Sequence, residues 1–211
     1  MSVTYDDVLR FIQSFQTVVA ENKEYLTKLD AAIGDADHGI NMDRGMKAAV
    51  SKIDGHPPGD IGSLFKTVGM ALVSSVGGAA GPLYGTLFIQ FGTPLGGKGE
   101  MDLSDWSAAV EAGVKGLQMR GKAELEDKTM VDAWIPARDA LKAAVDDDLS
   151  MGEGLRRSVS AAEEGMTATI PLVARKGRAS YLGERSAGHQ DPGATSTYLL
   201  LKCAADTWNT E

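Results

Sequence analysis

A single cysteine, Cys203, occurs among the 211 residues. No internal disulfide is therefore possible, which suits a reducing compartment. No apolar run approaches the ~20 residues needed to cross a bilayer. Residues 1–7 (MSVTYDD) carry neither a basic patch nor an apolar stretch, so no secretory leader is expected. Positive charge is also scarce: 21 Lys and Arg stand against 29 Asp and Glu, a formal net charge of −8. A duplex-binding protein displaces counterions with a basic surface, and none is implied here. There is no GxSxG elbow and no Cys/His ligand spacing. These absences describe a cytoplasmic, soluble protein with neither a nucleic-acid nor a membrane partner. An anionic small ligand remains allowed, given local help from metal ions, helix ends or a few cations.

What is present is ordinary for a globular protein: 43% hydrophobic and 24% charged residues. The length suits one core, and we read residues 1–211 as a single domain. Apolar residues recur at helical spacing. Val8, Ile12, Phe15, Val19, Leu26, Leu29 and Ile33 form one stripe that Gly34 ends. A helix is expected over 60–76 with Asp60 as N-cap, and another with Ser104 as cap and Trp106, Val110, Val114 and Leu117 inward. Further helices fit 129–145, 152–170 and 192–208. Only residues 86–91 (TLFIQF) read as a strand; with nothing to pair with, a buried helix after the glycines of 77–85 is the better reading. The class is therefore all-α, with seven or eight helices. Residues 92–99 (GTPLGGKG) are expected to form a flexible surface loop.

Four regions carry chemistry. In residues 29–44 (LDAAIGDADHGINMDR), Asp30, Asp35 and Asp37 put three carboxylates within eight residues. Such groups repel unless solvated, protonated or bridged by cations. Magnesium takes oxygen ligands of this kind, and the next helix is expected to start near His38–Asn41, turning free N–H groups to the same space. A solvated acidic loop fits the spacing equally well; a calcium EF-hand does not, since its twelfth position would be Met46. Glycine-rich residues 75–85 (SVGGAAGPLYG) can cradle phosphate or let two helices cross closely. Residues 92–99 and 116–123 read GxxxxGK but lack the following Ser or Thr and any strand–helix alternation, so neither is a P-loop. In residues 176–196 (KGRASYLGERSAGHQDPGATS), Lys176, Arg178 and Arg185 sit among four glycines. Asp191-Pro192 there looks like a helix cap and first turn. These cations can meet a phosphate or an acidic partner, or be ordinary surface ion pairs. His38 and His189 fit a base, a metal ligand or a hydrogen-bonded structural residue.

Taken together, residues 34–42 (GDADHGINM), 74–85 (SSVGGAAGPLYG), 120–123 (RGKA), 127–130 (DKTM) with Asp132 and Trp134, and 176–196 resemble the nucleotide-binding L subunits of dihydroxyacetone kinases. The match runs from the first helix to the last. The resemblance implies an antiparallel barrel of about eight amphipathic helices with the nucleotide at the loop end. It implies two magnesium ions on Asp30, Asp35 and Asp37. It also implies ADP or ATP contacts from His38, Gly39, Ile40, Asn41, Ala79, Ala80, Gly121, Met130, Arg178, Asp191, Pro192 and Gly193. Arg178 would add a cationic contact during transfer. The implied partners are a subunit that holds dihydroxyacetone covalently through a histidine and a phosphohistidine protein of the phosphotransferase system that recharges bound ADP. Alternatives are a kinase that exchanges free ATP, and a non-catalytic nucleotide-sensing module. The family often has glycine just before Asp127; Glu126, preceded by Leu125, stands there instead, which leaves the shape of that pocket turn open.

Overall fold

The computed structural model describes residues 2–55 and 59–208. Among them are nine α-helices: α1 (Tyr5–Glu21), α2 (Lys23–Ile33), α3 (His38–Gly55), α4 (Ile61–Ser75), α5 (Ala80–Phe91), α6 (Leu103–Gly121), α7 (Val131–Asp146), α8 (Met151–Ala168) and α9 (Pro192–Trp208). A 3-10 segment covers Arg178–Ser186, and two short strands, β1 (Val3–Thr4) and β2 (Glu100–Met101), pair antiparallel. The all-α class is as expected. The helix count is higher because the first stripe breaks at Asn22. The stripe jumps from Val19 to Leu26, and in that gap the Asn22 side chain donates to the Val18 carbonyl oxygen, 2.8 Å away. Residues 86–91 lie within α5, which begins at Ala80 inside the glycine-rich stretch.

Eight helices pack in a closed cycle. α1 meets α3, each of α3 to α8 meets the next, and α9 returns to α1, while α2 lies against α3 and α9. Short connections require neighbours to run antiparallel. The contacts bear this out at one end of the cycle, the far end. There Tyr5 N–H donates to the Gly99 carbonyl at 2.8 Å, Ile61 N–H to that of Lys98 at 2.9 Å, and Gly154 packs on Leu103. The N-termini of α1, α4, α6 and α8 therefore meet there. All four are capped by their own side chains, Thr4, Asp60, Asp102 and Ser150, with reciprocal capping boxes at α1, α6 and α8. Asp102, not Ser104, caps α6: its side chain accepts from Asp105 N–H and Asp105 reaches back. Residues 92–99 are also more tied down than expected. Leu95 is buried, and Gly97 N–H donates to Asp60.

Although aromatic residues are few, every Phe and Trp is buried in the core. Edge and tilted contacts link Phe11 to Trp208, Trp208 to Trp106, and Trp106 through Phe91 to Trp134. Burial of each such ring is worth about 1.5–3 kcal/mol. α4 and α5 approach closely because glycine faces glycine: a Cβ on Gly69 would lie 2.6 Å from the Gly85 carbonyl oxygen, and one on Gly85 2.3 Å from Val73. The packing reading of the glycine stretch therefore holds for Gly81 and Gly85, which press on α4. Gly85→Ala is expected to cost about 1–3 kcal/mol, read as a lower midpoint in thermal unfolding.

Candidate functional site

At the end of the cycle opposite the capped termini, four connections converge: residues 34–37, 76–79, 122–130 and 169–191. Side chains from all four line one open cleft of about 180 Å3. Around it lie the N-termini of α3, α5, α7 and α9, each equivalent to about half a positive charge. Neither Ala79 before α5 nor Met130 before α7 supplies a side-chain cap. Among the described residues nothing accepts the amides of Ala80 and Gly81, or those of Gly39 and Ile40. The far end satisfies its helix termini internally; this end leaves those four amides open, although Thr129 accepts from Val131 N–H and Asp191 from Ala194 N–H.

The carboxylates are placed by local geometry. Asp30, buried in the last turn of α2, accepts from the amides of Asp37 at 2.8 Å and His38 at 3.2 Å. It thus caps α3 from a neighbouring helix. Gly34 is needed for this, since a Cβ there would fall 2.1 Å from the Asp30 carboxylate. Ala36 takes φ +60°, turning the chain sharply between Asp35 and Asp37. Ligand oxygens of Asp30, Asp35 and Asp37 all lie within 4.8 Å of one another. Such a group fits a hard divalent cation with oxygen ligands. Arg178, at the start of the 3-10 segment, reaches across the mouth to Asp35 at 3.0 Å.

Of the residues implied by the resemblance, Asp30, Asp35, Asp37, His38, Ala79, Ala80, Met130, Arg178, Asp191, Pro192 and Gly193 line this cleft. Gly121 lines an adjoining pocket of about 270 Å3, walled by Pro82, Leu83, Leu117, Ala123 and Met130. The two share Ala79, Leu83, Thr129, Met130, Lys176 and Gly177. The carboxylates stand in the first, and the second is lined mainly by apolar side chains. Gly39, Ile40 and Asn41 do not line either. Gly39 backs onto α2, where a Cβ would strike the Lys23 carbonyl oxygen. Ile40 points outward beside Thr27 and Ala31, and Asn41 is buried, accepting from Arg44 at 2.8 Å.

Beneath the cleft runs a buried chain of hydrogen bonds. Ser196 Oγ lies 2.9 Å from His38 Nε2 and 2.7 Å from the Tyr84 hydroxyl, tying α3, α5 and α9 together. Burial lowers the His38 pKa despite Asp30 and Asp37, so the ring is neutral at neutral pH. Burial raises that of Tyr84 to about 12.

Sequence reasoning assigned no role to Lys128. Its side chain is buried and donates to the carbonyl oxygens of Thr169 and His189, bracing the long α8–α9 connection. A lysine between Asp127 and Asp132 was the available signal, and it is weak because lysines are mostly exposed. Glu126 takes φ +68°, so the turn keeps the left-handed form that glycine favours, and Glu126 N–H is held by Asp132. Forcing a side chain into that conformation costs about 1–2 kcal/mol.

Three clustered carboxylates beside helix N-termini, in a cleft that opens into an apolar pocket, mark this end of the all-α domain as the candidate ligand site. The chain belongs to the DAK2 domain family, whose model matches residues 32–206. It is 43% identical over 205 residues to the "PEP-dependent dihydroxyacetone kinase, ADP-binding subunit DhaL" of Escherichia coli, covering 97% of this chain and 98% of that one. A Listeria innocua protein, "PEP-dependent dihydroxyacetone kinase 1, ADP-binding subunit DhaL", is also 43% identical, over 207 residues, again covering 97% and 98% of the two chains. In fold the chain resembles the dihydroxyacetone kinase of C. freundii, solved with AMP-PNP and Mg2+, at TM-score 0.71 and 24% identity. That match covers 98% of this chain and 34% of the other.

Asp191 gives the site a pH signature. Burial is the main reason that its carboxyl is raised from 3.8 to about 7, with Asp132 adding repulsion and Lys128 opposing it. Between those values the folded state holds a proton that the unfolded state releases. The cost of the buried charge therefore grows as pH rises from about 3.8, is complete above about pH 7, and is absent below the unfolded value. Asp191→Asn is expected to raise the thermal midpoint relative to the native chain more at about pH 8 than at about pH 5. An equal difference at both would contradict the assignment.

Proposed function

We propose that the chain carries a magnesium–nucleotide in a phosphoenolpyruvate-dependent dihydroxyacetone kinase and passes its terminal phosphoryl group to dihydroxyacetone on a separate subunit. The observation that carries this reading is the Asp30–Asp35–Asp37 group sharing one cleft with the uncapped N-terminus of α5. The near full-length similarity to ADP-binding subunits of such kinases supports it. We read residues 1–211 as one nucleotide-binding unit. Buried Cys203 suits a reducing cytoplasm, and no helix of the described residues is long and apolar enough to cross a membrane.

Asp30, Asp35 and Asp37 would hold the metal, as two ions if the family pattern carries over. Bound magnesium supplies charge neutralisation and alignment for in-line transfer. The amides of Ala80 and Gly81 donate to phosphate oxygens. Arg178, now paired with Asp35, is in reach of the anion that the carboxylates and metal attract. The apolar pocket of Leu83, Leu117, Ala123 and Met130 takes the less polar end of the nucleotide. Neutral His38 adds no charge and holds α3 to α9 through Ser196. The Ser196–His38 pair lies buried beneath the cleft, with the Ser196 hydroxyl also held by Tyr84, so it presents no accessible nucleophile; transfer of this kind needs positioning more than covalent chemistry. Recharging in place by a phosphohistidine protein is the donor we infer.

Two measurements test this. Protein purified in magnesium and then denatured should release about one ADP per chain after extensive dialysis. Failure to bind nucleotide even in excess magnesium removes the assignment, whereas magnesium-dependent binding without retention indicates exchanging ATP instead. Asp37→Asn should abolish phosphoryl transfer in the reconstituted complex while its circular dichroism stays native; full activity would sink the carboxylate assignment.

A further inference from the structure

One buried hydroxyl registers three of the helices that begin at the cleft. Ser196, in the second turn of α9, is fully buried. Its Oγ meets His38 Nε2 at the start of α3 and the Tyr84 hydroxyl in the second turn of α5. Ser196 has one proton to give, and two acceptors compete for it: His38 Nε2 at 2.9 Å and the Gly193 carbonyl oxygen at 3.1 Å. Gly193 is already supplied. Its carbonyl accepts from the Thr197 hydroxyl at 2.9 Å and, as the helix requires, from the Thr197 N–H, which uses both lone pairs. The Ser196 proton therefore goes to His38 Nε2, while the Tyr84 hydroxyl donates to Ser196 Oγ. An imidazolium would donate at both nitrogens and push the Ser196 proton back onto the crowded Gly193 carbonyl, so the same accounting makes the ring neutral. A neutral ring that accepts at Nε2 carries its own proton on Nδ1. Among the described residues nothing bonds Nδ1, and it is not sealed from solvent, so it opens into the cleft that His38 lines.

We propose that Ser196 is a positioning residue: it locks His38 in the Nδ1–H tautomer and so presents a neutral N–H donor to a phosphate oxygen of the bound nucleotide. The inference rests on the function proposed above. The ring is held from two sides, because the His38 backbone N–H also donates to Asp30 at 3.2 Å. Were the proton on Nε2 instead, the Nδ1 lone pair would face the phosphate oxygens, and two acceptors would meet without a proton between them. Ser196 touches no ligand, yet it decides whether His38 attracts or repels one. An uncharged donor also suits a place beside Asp30 and Asp37, since it brings no positive charge to compete with a metal ion for those carboxylates.

The test reads the imidazole tautomer by long-range hydrogen–nitrogen correlation NMR on the full chain, labelled at its three histidines. The variant His38→Gln identifies the His38 signals. At neutral pH the native chain, freed of nucleotide, should show His38 protonated at Nδ1 alone. Adding magnesium and ADP should shift that proton while the tautomer stays. Ser196→Ala should lose the single tautomer and weaken magnesium–ADP binding by calorimetry about tenfold, with manganese affinity in the absence of nucleotide unchanged. A native ring protonated at Nε2, or at both nitrogens, overturns the proposal without need of any variant. A Ser196→Ala chain that is less stable but keeps tautomer and nucleotide affinity gives Ser196 a packing role only, and overturns it too. A native chain that binds no nucleotide even in excess magnesium overturns the function proposed above and this donor role together. Normal nucleotide binding that leaves the Nδ1 proton unmoved overturns this proposal alone.

Discussion

In a closed cycle of an even number of antiparallel helices, every second N-terminus meets at the same end. The remaining structure depends on how this chain treats the two sets of four. At one end Thr4, Asp60, Asp102 and Ser150 satisfy the first-turn amides locally. At the other, α3 is capped by Asp30 from another helix, α9 by Asp191, and Val131 N–H at the start of α7 is met by the Thr129 hydroxyl, while α5 has no side-chain cap. Unsatisfied amides and aligned helix dipoles make that end electropositive within an acidic protein. The same end holds three crowded carboxylates. A metal-bridged polyphosphate, the ligand proposed here, would satisfy together the helix ends that attract anions and the carboxylates that attract cations.

Glycine is used for two purposes within one short stretch. Gly81 and Gly85 let α5 lie against α4, where any Cβ would collide with Val76 or Val73. Gly77 and Gly78 line the cleft, and Gly78 has φ +64° with open space where a Cβ would stand. Glycines that line the cleft and glycines that allow close packing therefore follow one another along the chain. The packing reading of the stretch applies to Gly81 and Gly85, and the loop reading is left to Gly77 and Gly78.

Much of the fold was legible because it rests on local rules. The span of α9, the Asp60 cap and the helix over residues 86–91 follow from periodicity, capping chemistry and the lack of a strand partner. The break at Asn22 was not, because a seven-residue step in the apolar stripe reads as continuous when the turn beneath it is unseen. In the site, the aspartates could be grouped from sequence because they are neighbours in the chain. Lys128 could not, since its partners Thr169 and His189 are brought to it only by the return of α9. Ser196 joins His38 and Tyr84 for the same reason. Gly39 and Ile40 show the limit of carrying over a contiguous motif. On a helix, successive residues face different directions, so Gly39 turns to α2 and the Ile40 side chain to solvent.

The central claim, that one metal–nucleotide satisfies both the carboxylates and the open helix ends, is tested most directly by anomalous diffraction. Crystals would be grown with manganese and a non-hydrolysable ATP analogue. The account predicts manganese peaks among the side chains of Asp30, Asp35 and Asp37, with phosphate oxygens on the same ions and within hydrogen-bond reach of the Ala80 and Gly81 amides. Manganese bound elsewhere, or a nucleotide whose phosphates lie away from these carboxylates, would contradict it.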